Sequence, residues 1–185
     1  MLKVVNLFGP PGVGKSTVRS GLFWRMRSDQ MSVEEVSEYA KYLVLTGRTW
    51  QLEADQLYLL AKQHHKQLIL EGKYQYAVTD SPLPLCAFYA QENYLPGFTE
   101  IVMAAYARFD NLNIYLTRGM HADEFEQAGR VHDFEASRLI DLRLRAFLAH
   151  HNVSYIELPV DHSTPSAIMA ALGLGPTSLN AQRAA

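Results

Sequence analysis

Apolar and β-branched residues run from Lys3 to Phe8 and stop at a glycine, after which helical spacing begins at Ser16 through Val18, Leu22, Phe23 and Met26. This predicts strand, loop, helix. SVEEVSE (Ser32 to Glu38) alternates Val33 and Val36 with acids and reads as a second strand, with EYAKYLVL turning helical behind it. From Trp50 to about Leu70, apolar residues recur at helical intervals up to a stop signal at Gly72, which predicts one long helix. YAVTD is a short third strand tipped by Asp80, because Pro82 and Pro84 cannot continue a ladder. Helices over Leu85 to Asn93 and Thr99 to Phe109 flank Pro96 and Gly97.

NLNIYLT predicts a fourth strand, FEASRLIDLRLRAFLAHH a strong helix, SYIELPV a fifth strand and SAIMAALG a closing helix. Arg118 to Asp133, polar with two glycines, reads as a mobile lid, and the stretch from Gly175 as a frayed tail. Strands alternating with helices predict an α/β fold of P-loop type: three layers, α/β/α, around a five-stranded parallel sheet. Ligands of such sheets gather beyond the carboxyl ends of the strands, where the glycine loop, Glu38 and Asp80 all fall. The expected organisation is one domain over residues 1–174, with its lid at about 118–133, and a flexible tail at 175–185.

Composition narrows this picture in three places. A length of 185 residues suits one core, and a formal charge of −2 gives no global electrostatic reason for tight nucleic-acid binding. The lone Cys86, set among apolar residues, reads as a packing residue of a chain at home in a reducing cytoplasm. No apolar run is long enough to span a bilayer, so a soluble protein is expected.

The chemistry begins at FGPPGVGKST. Gly9 to Ser16 satisfies GxxxxGK[ST] in full, in the required setting between strand and helix. Glycines let backbone N–H groups converge on phosphate oxygens, and the helix start adds its positive dipole end. The predicted nucleotide cradle is therefore Gly9, Pro10, Pro11, Gly12, Val13, Gly14, Lys15, Ser16 and Thr17. Lys15 is expected at the β and γ phosphates of ATP, with the Ser16 hydroxyl on Mg²⁺.

Phosphoryl transfer also needs carboxylates and cations around the moving group. Glu38 is assigned as the base that orients an acceptor hydroxyl, and Asp80 as the Mg²⁺-side acid; the two jobs are interchangeable on sequence grounds. Both acids have a purely structural alternative, as caps of the helices that follow them. Arg118 and Arg130 would bring positive charge from the lid. Tyr39, Tyr42, Arg48, Gln56 and Gln63 are candidates for holding a nucleoside base. Arg143 and Arg145 lie two apart on one helix, so one at most faces the site. The pairs His64–His65 and His150–His151 diverge on their helices and read as solvated faces, not metal ligands.

The set NLFGPPGVGKST, VSEYAKYL, DQLYLLAKQHH, TDSPLPL, FDNLNIYLTR and GRVHDFEASRLIDLRLR resembles small P-loop kinases of nucleosides and nucleotides. That group includes the nicotinamide riboside kinase domain. VSEYAKYL with TDSP is similar to a phage branch, some of whose members phosphorylate 5-hydroxymethyluracil within phage DNA. The resemblance implies that Lys15, Ser16 and Asp80 serve ATP and Mg²⁺, and that Glu38 serves the hydroxyl of a nucleoside-type substrate, modified DNA included. One departure stands out: TDSP puts Ser81 where the DRY or DRH of thymidylate kinases has arginine.

Overall fold

The structure is a computed structural model describing residues 1–118 and 134–174, with backbone only for Phe134 and Glu135. The expected tail, and nearly all of the expected lid with Arg130, lie outside the described residues. Five strands, β1 (Lys3–Phe8), β2 (Val33–Val36), β3 (Tyr76–Thr79), β4 (Asp110–Thr117) and β5 (Ile156–Pro159), form one sheet in the order β2-β3-β1-β4-β5. Every pairing is parallel, with Asn6 level with Thr79 on one side and Asn113 on the other.

Alternation along β1 sets the layers. Val5 and Leu7 face α1 (Lys15–Ser28) and α8 (Thr164–Ala171), where they pack with Val18, Leu22, Met26 and Ile168. Val4 faces the opposite layer, built from α2 (Tyr39–Leu45), α4 (Gln56–Leu68), α5 (Pro84–Tyr89) and α6 (Phe98–Ala107). Phe8 and Tyr115 pack with Leu144 and Leu148 of α7 (Phe134–His150). Between the layers Asn6, 1% exposed, donates its amide to the side chains of Asn111 (2.9 Å) and Asn113 (3.1 Å). A buried amide has to be matched, so this pairing favours one β1–β4 register over a slip. Cys86 is a core residue, and burial pushes its thiol up to about 12.

Several elements differ from the pattern-based expectation at their ends, and one is split. The long helix breaks at Asp55 into α3 (Trp50–Ala54) and α4, with Asp55 at φ −137° and ψ 56°. The Asp55 carboxylate accepts from the Tyr58 N–H at 3.2 Å, so a capping residue interrupts an apolar periodicity that continues across it. The second strand ends at Val36, two residues short, and α5 stops at Tyr89 because Ala90 is extended.

β3 and β4 flank β1, so the chain bends away to either side of the crevice above β1. The loop after β1 fills that crevice. Gly9, at φ +139°, backs onto β4 so closely that a Cβ would lie 2.7 Å from the Leu116 carbonyl oxygen. Backbone strain and a clash with an immovable carbonyl act together there.

Gly9→Ala is expected to cost about 1–3 kcal/mol, read as a thermal midpoint lowered by roughly 2–12 °C. Gly47, at φ +70° with nothing within 4 Å of a built Cβ, isolates the backbone part. Gly47→Ala should lose less, and equal losses would contradict the close-approach account.

Candidate active site

Side-chain donors engage three successive carbonyls of the loop, and the Val13 N–H is turned inward onto the Pro10 carbonyl at 3.3 Å. Lys15 Nζ donates to the carbonyls of Gly9 (2.8 Å) and Pro10 (3.0 Å), and the Ser137 hydroxyl donates to that of Pro11 (2.8 Å). Gly14, at φ +102°, is the N-cap of α1, and the first intrahelical bond runs from Val18 N to the Gly14 carbonyl. The N–H groups of Lys15, Ser16 and Thr17 therefore precede any helical acceptor, which makes this end of α1 an anion site. Ser16 and Thr17 are exposed there.

Glu38 follows β2 by two residues and occupies the N-cap position of α2, yet its side chain makes no capping hydrogen bond. The capping alternative fails, and the carboxyl is left to the site. Burial raises it above its ordinary 4.5, and the charge of Asp80 pushes the same way, against Lys15, Lys41 and Arg19. Asp80, 3% exposed at the tip of β3, caps no helix either, because the α5 N-cap is Leu83. Instead Arg19 Nη1 donates to Asp80 Oδ1 at 2.8 Å, and the same guanidinium pairs with Glu35 at 3.3 Å. Removing one partner of such a buried pair would leave an uncompensated charge, so Arg19 fixes where Asp80 points.

Several residues that sequence reasoning passed over converge here. Lys66 of α4 donates to the carbonyl (2.9 Å) and hydroxyl (3.1 Å) of Ser37, beside Glu38. Burial lowers the Lys66 ammonium, with Arg19 adding to the effect and Asp80 opposing it. Tyr89 keeps 44% of its surface in solvent, yet burial of its phenol pushes it up to about 12, helped by Glu38 and opposed by Arg143. Arg143 lies 5.8 Å over the ring of Phe88, whereas Arg145 turns to Tyr115 (4.1 Å) and Glu157. The two arginines therefore diverge, and Arg143 is the one on the Glu38 side.

Among the expected base-holding residues, Tyr39 and Tyr42 stack at 5.5 Å directly after Glu38, and Arg48 is exposed behind them. Gln56 and Gln63 are each 2% exposed. Gln56 donates to the Leu52 carbonyl; Gln63 donates to Thr79 Oγ1 at 3.3 Å and accepts from Tyr39 N at 3.4 Å. The structure thus corrects the expectation for these two: their amides are spent inside the fold, holding the α3–α4 junction and the start of α2. Arg118, directly after β4, donates to the Ser137 hydroxyl at 2.7 Å, close against the loop.

Mg²⁺ fits the donor set: an exposed hydroxyl at Ser16 and a carboxylate at Asp80 with one oxygen held by Arg19 are hard oxygen ligands. Such an ion would supply positive charge beside the phosphates, with Ser16 and Asp80 as the residues to hold it or its water shell. Among the described residues no group of three or more His, Cys, Asp or Glu side chains forms a metal cluster, and no helix is long and apolar enough to cross a membrane. His64 packs against Phe109 while His65 is exposed, so that pair diverges as its helical positions require.

Comparison with known proteins adds a fold and a family. A solved NadR protein in complex with NR superposes with a TM-score of 0.70 at 17% identity, covering 93% of this chain and 52% of that one. A second NadR structure, with NAD and AMP-PNP, gives 0.64 at 15% identity, covering 93% and 50%. The chain spans about half the length of these proteins, and at such identities the likeness is one of fold. No curated protein matches the chain in sequence. The family model of the AAA domain, by contrast, matches residues 4–164, from the second residue of β1 to the first of α8. With its phosphate loop, its parallel sheet and that match over most of its length, the chain belongs to the AAA domain family.

Proposed function

We propose that this protein is an ATP-dependent phosphotransferase that moves the γ-phosphoryl group to a hydroxyl of a nucleoside unit. The observation that carries the reading is the convergence of an uncapped, half-buried Glu38 and an Arg19-held Asp80 beside the donor-lined loop. A carboxylate base could serve water or an alcohol, and the stacked pair Tyr39–Tyr42 directly after Glu38 is what favours a bound nucleoside. Lys15 and the first amides of α1 take the phosphates, Ser16 and Asp80 lie on the Mg²⁺ side, and Glu38 accepts the proton of the attacking hydroxyl. Arg118 stands against the loop as a neutralising cation. Tyr39, Tyr42 and Arg48 line the acceptor side. A cytoplasmic location belongs to the same proposal.

For the acceptor, the finer proposal is a pyrimidine unit, 5-hydroxymethyluracil in phage DNA, on the strength of VSEYAKYL and TDSP. A free nucleoside or nucleotide, of deoxynucleotide or nicotinamide riboside type, is the second reading, favoured by the fold neighbour solved with NR and by a net charge of −2. A plain ATPase is the third, favoured by the family's description as an AAA domain.

Incubation with γ-labelled ATP and, in parallel, hydroxymethyluracil-containing DNA, unmodified DNA, free nucleosides including nicotinamide riboside, and no acceptor separates the three. Label on a nucleoside unit supports the transferase, and the arm that takes it names the acceptor. Phosphate release that ignores every acceptor would overturn the proposal. Lys15→Ala should abolish transfer with the fold retained in circular dichroism.

Glu38 acts as a base only when ionised, and its carboxyl is raised, so kcat should fall with decreasing pH on a limb centred above 4.5. Glu38→Gln should flatten that limb and lower kcat about 10²–10⁴-fold. A variant retaining both rate and limb would remove Glu38 from the chemistry.

A further inference from the structure

Ser137 belongs to α7, far from the loop in sequence, yet its side chain is fully buried between Arg118 and Pro11. The polarity of this contact is fixed by chemistry. A guanidinium can only donate and a carbonyl can only accept. Arg118 Nη2 therefore gives its hydrogen to the hydroxyl oxygen at 2.7 Å, and the hydroxyl must send its own proton to the Pro11 carbonyl at 2.8 Å.

Peptide planarity carries that direction into the loop. In the trans peptide between Pro11 and Gly12, the C=O and N–H point opposite ways. Holding the carbonyl toward α7 turns the Gly12 N–H away from α7. Gly12, at φ +80°, lacks the Cβ that would otherwise restrict this peptide. Without the hydroxyl the peptide is free to flip, which would bring an oxygen in place of a donor to any anion in the loop.

α7 itself is anchored independently of Ser137. Tyr115 of β4 donates to the Asp141 carboxylate at 2.5 Å, and Arg145 pairs with Asp141 and with Glu157 of β5. The serine thus hangs from a rigid support one helical turn before Asp141. We propose that Ser137 is a positioning residue that sets the Pro11–Gly12 peptide for phosphate binding and couples it to the Arg118 guanidinium. The inference rests on the reading of the loop as a triphosphate site.

Calorimetric titration with ATP, alongside thermal unfolding with and without ATP, tests it in the wild-type chain, Ser137→Ala and Ser137→Thr. Ser137→Ala should weaken ATP binding about fivefold to thirtyfold. The midpoint of the ligand-free chain should fall by no more than about 4 °C, while the ATP-induced rise in midpoint shrinks. Ser137→Thr, which keeps the hydroxyl, should recover most of the affinity. An ATP dissociation constant in Ser137→Ala within about twofold of a wild type that does bind would overturn this inference alone. A wild-type chain that binds no ATP would sink the triphosphate reading and this inference with it. A Ser137→Ala chain that loses its ligand-free stability and its affinity together, with no recovery in Ser137→Thr, would assign Ser137 to packing instead.

Discussion

The geometry of the site depends on where the carbonyl oxygens of one short loop are sent. Residues 9 to 11 present three carbonyls at the mouth of the crevice above β1, and each is engaged by a donor: the Lys15 ammonium takes two and the Ser137 hydroxyl the third. Beside these engaged carbonyls lie the first-turn amides of α1, which have no helical acceptor. Gly9 makes this possible by lying flat against Leu116, where no side chain fits, so the loop is pressed onto the sheet that carries Asp80 on one neighbouring strand and leads to Arg118 on the other.

A cradle for anions next to two carboxylates would be self-defeating without compensation. Arg19 provides it by rising from α1 between β2 and β3 to meet Glu35 and Asp80 together. Asp80 thereby sits beside the loop with a paired charge. Glu38 has no such ion pair among the described residues, and its carboxyl is raised by burial and by its acidic neighbour. The pair is consequently unequal: one carboxylate is fixed by an arginine, and the other, its carboxyl raised, is the one proposed as the base. A carboxyl raised by its surroundings, next to a carboxylate anchored by an arginine, is an arrangement that suits a division of labour between general base and metal-side acid.

Much of this was legible in the chain, because it is local. The glycine loop declares itself through GxxxxGK[ST], and the alternating SVEEVSE and apolar YAVTD segments end in Glu38 and Asp80. What stayed hidden depends on the strand order. Arg19 lies between Val18 and Leu22 as an ordinary polar helix position, and only the adjacency of β2 and β3 brings two acids within its reach. Ser137 meets the loop across 126 residues of sequence, so no window shows the pair. Gln56 and Gln63 misled in the opposite sense, since a polar side chain in an amphipathic helix looks like a surface or ligand group until the burial of its amide is seen. Asp55 carried a visible signal, a capping residue, that the surrounding apolar period overrode.

The central claim is that the γ-phosphoryl group lands on a bound alcohol and not on water. A ³¹P NMR measurement of the reaction run in ¹⁸O-enriched water, with hydroxymethyluracil-containing DNA and free nucleosides and nucleotides present as acceptors, reads that destination atom by atom. The account predicts a phosphate ester free of solvent ¹⁸O; inorganic phosphate carrying one solvent oxygen as the sole product would contradict it.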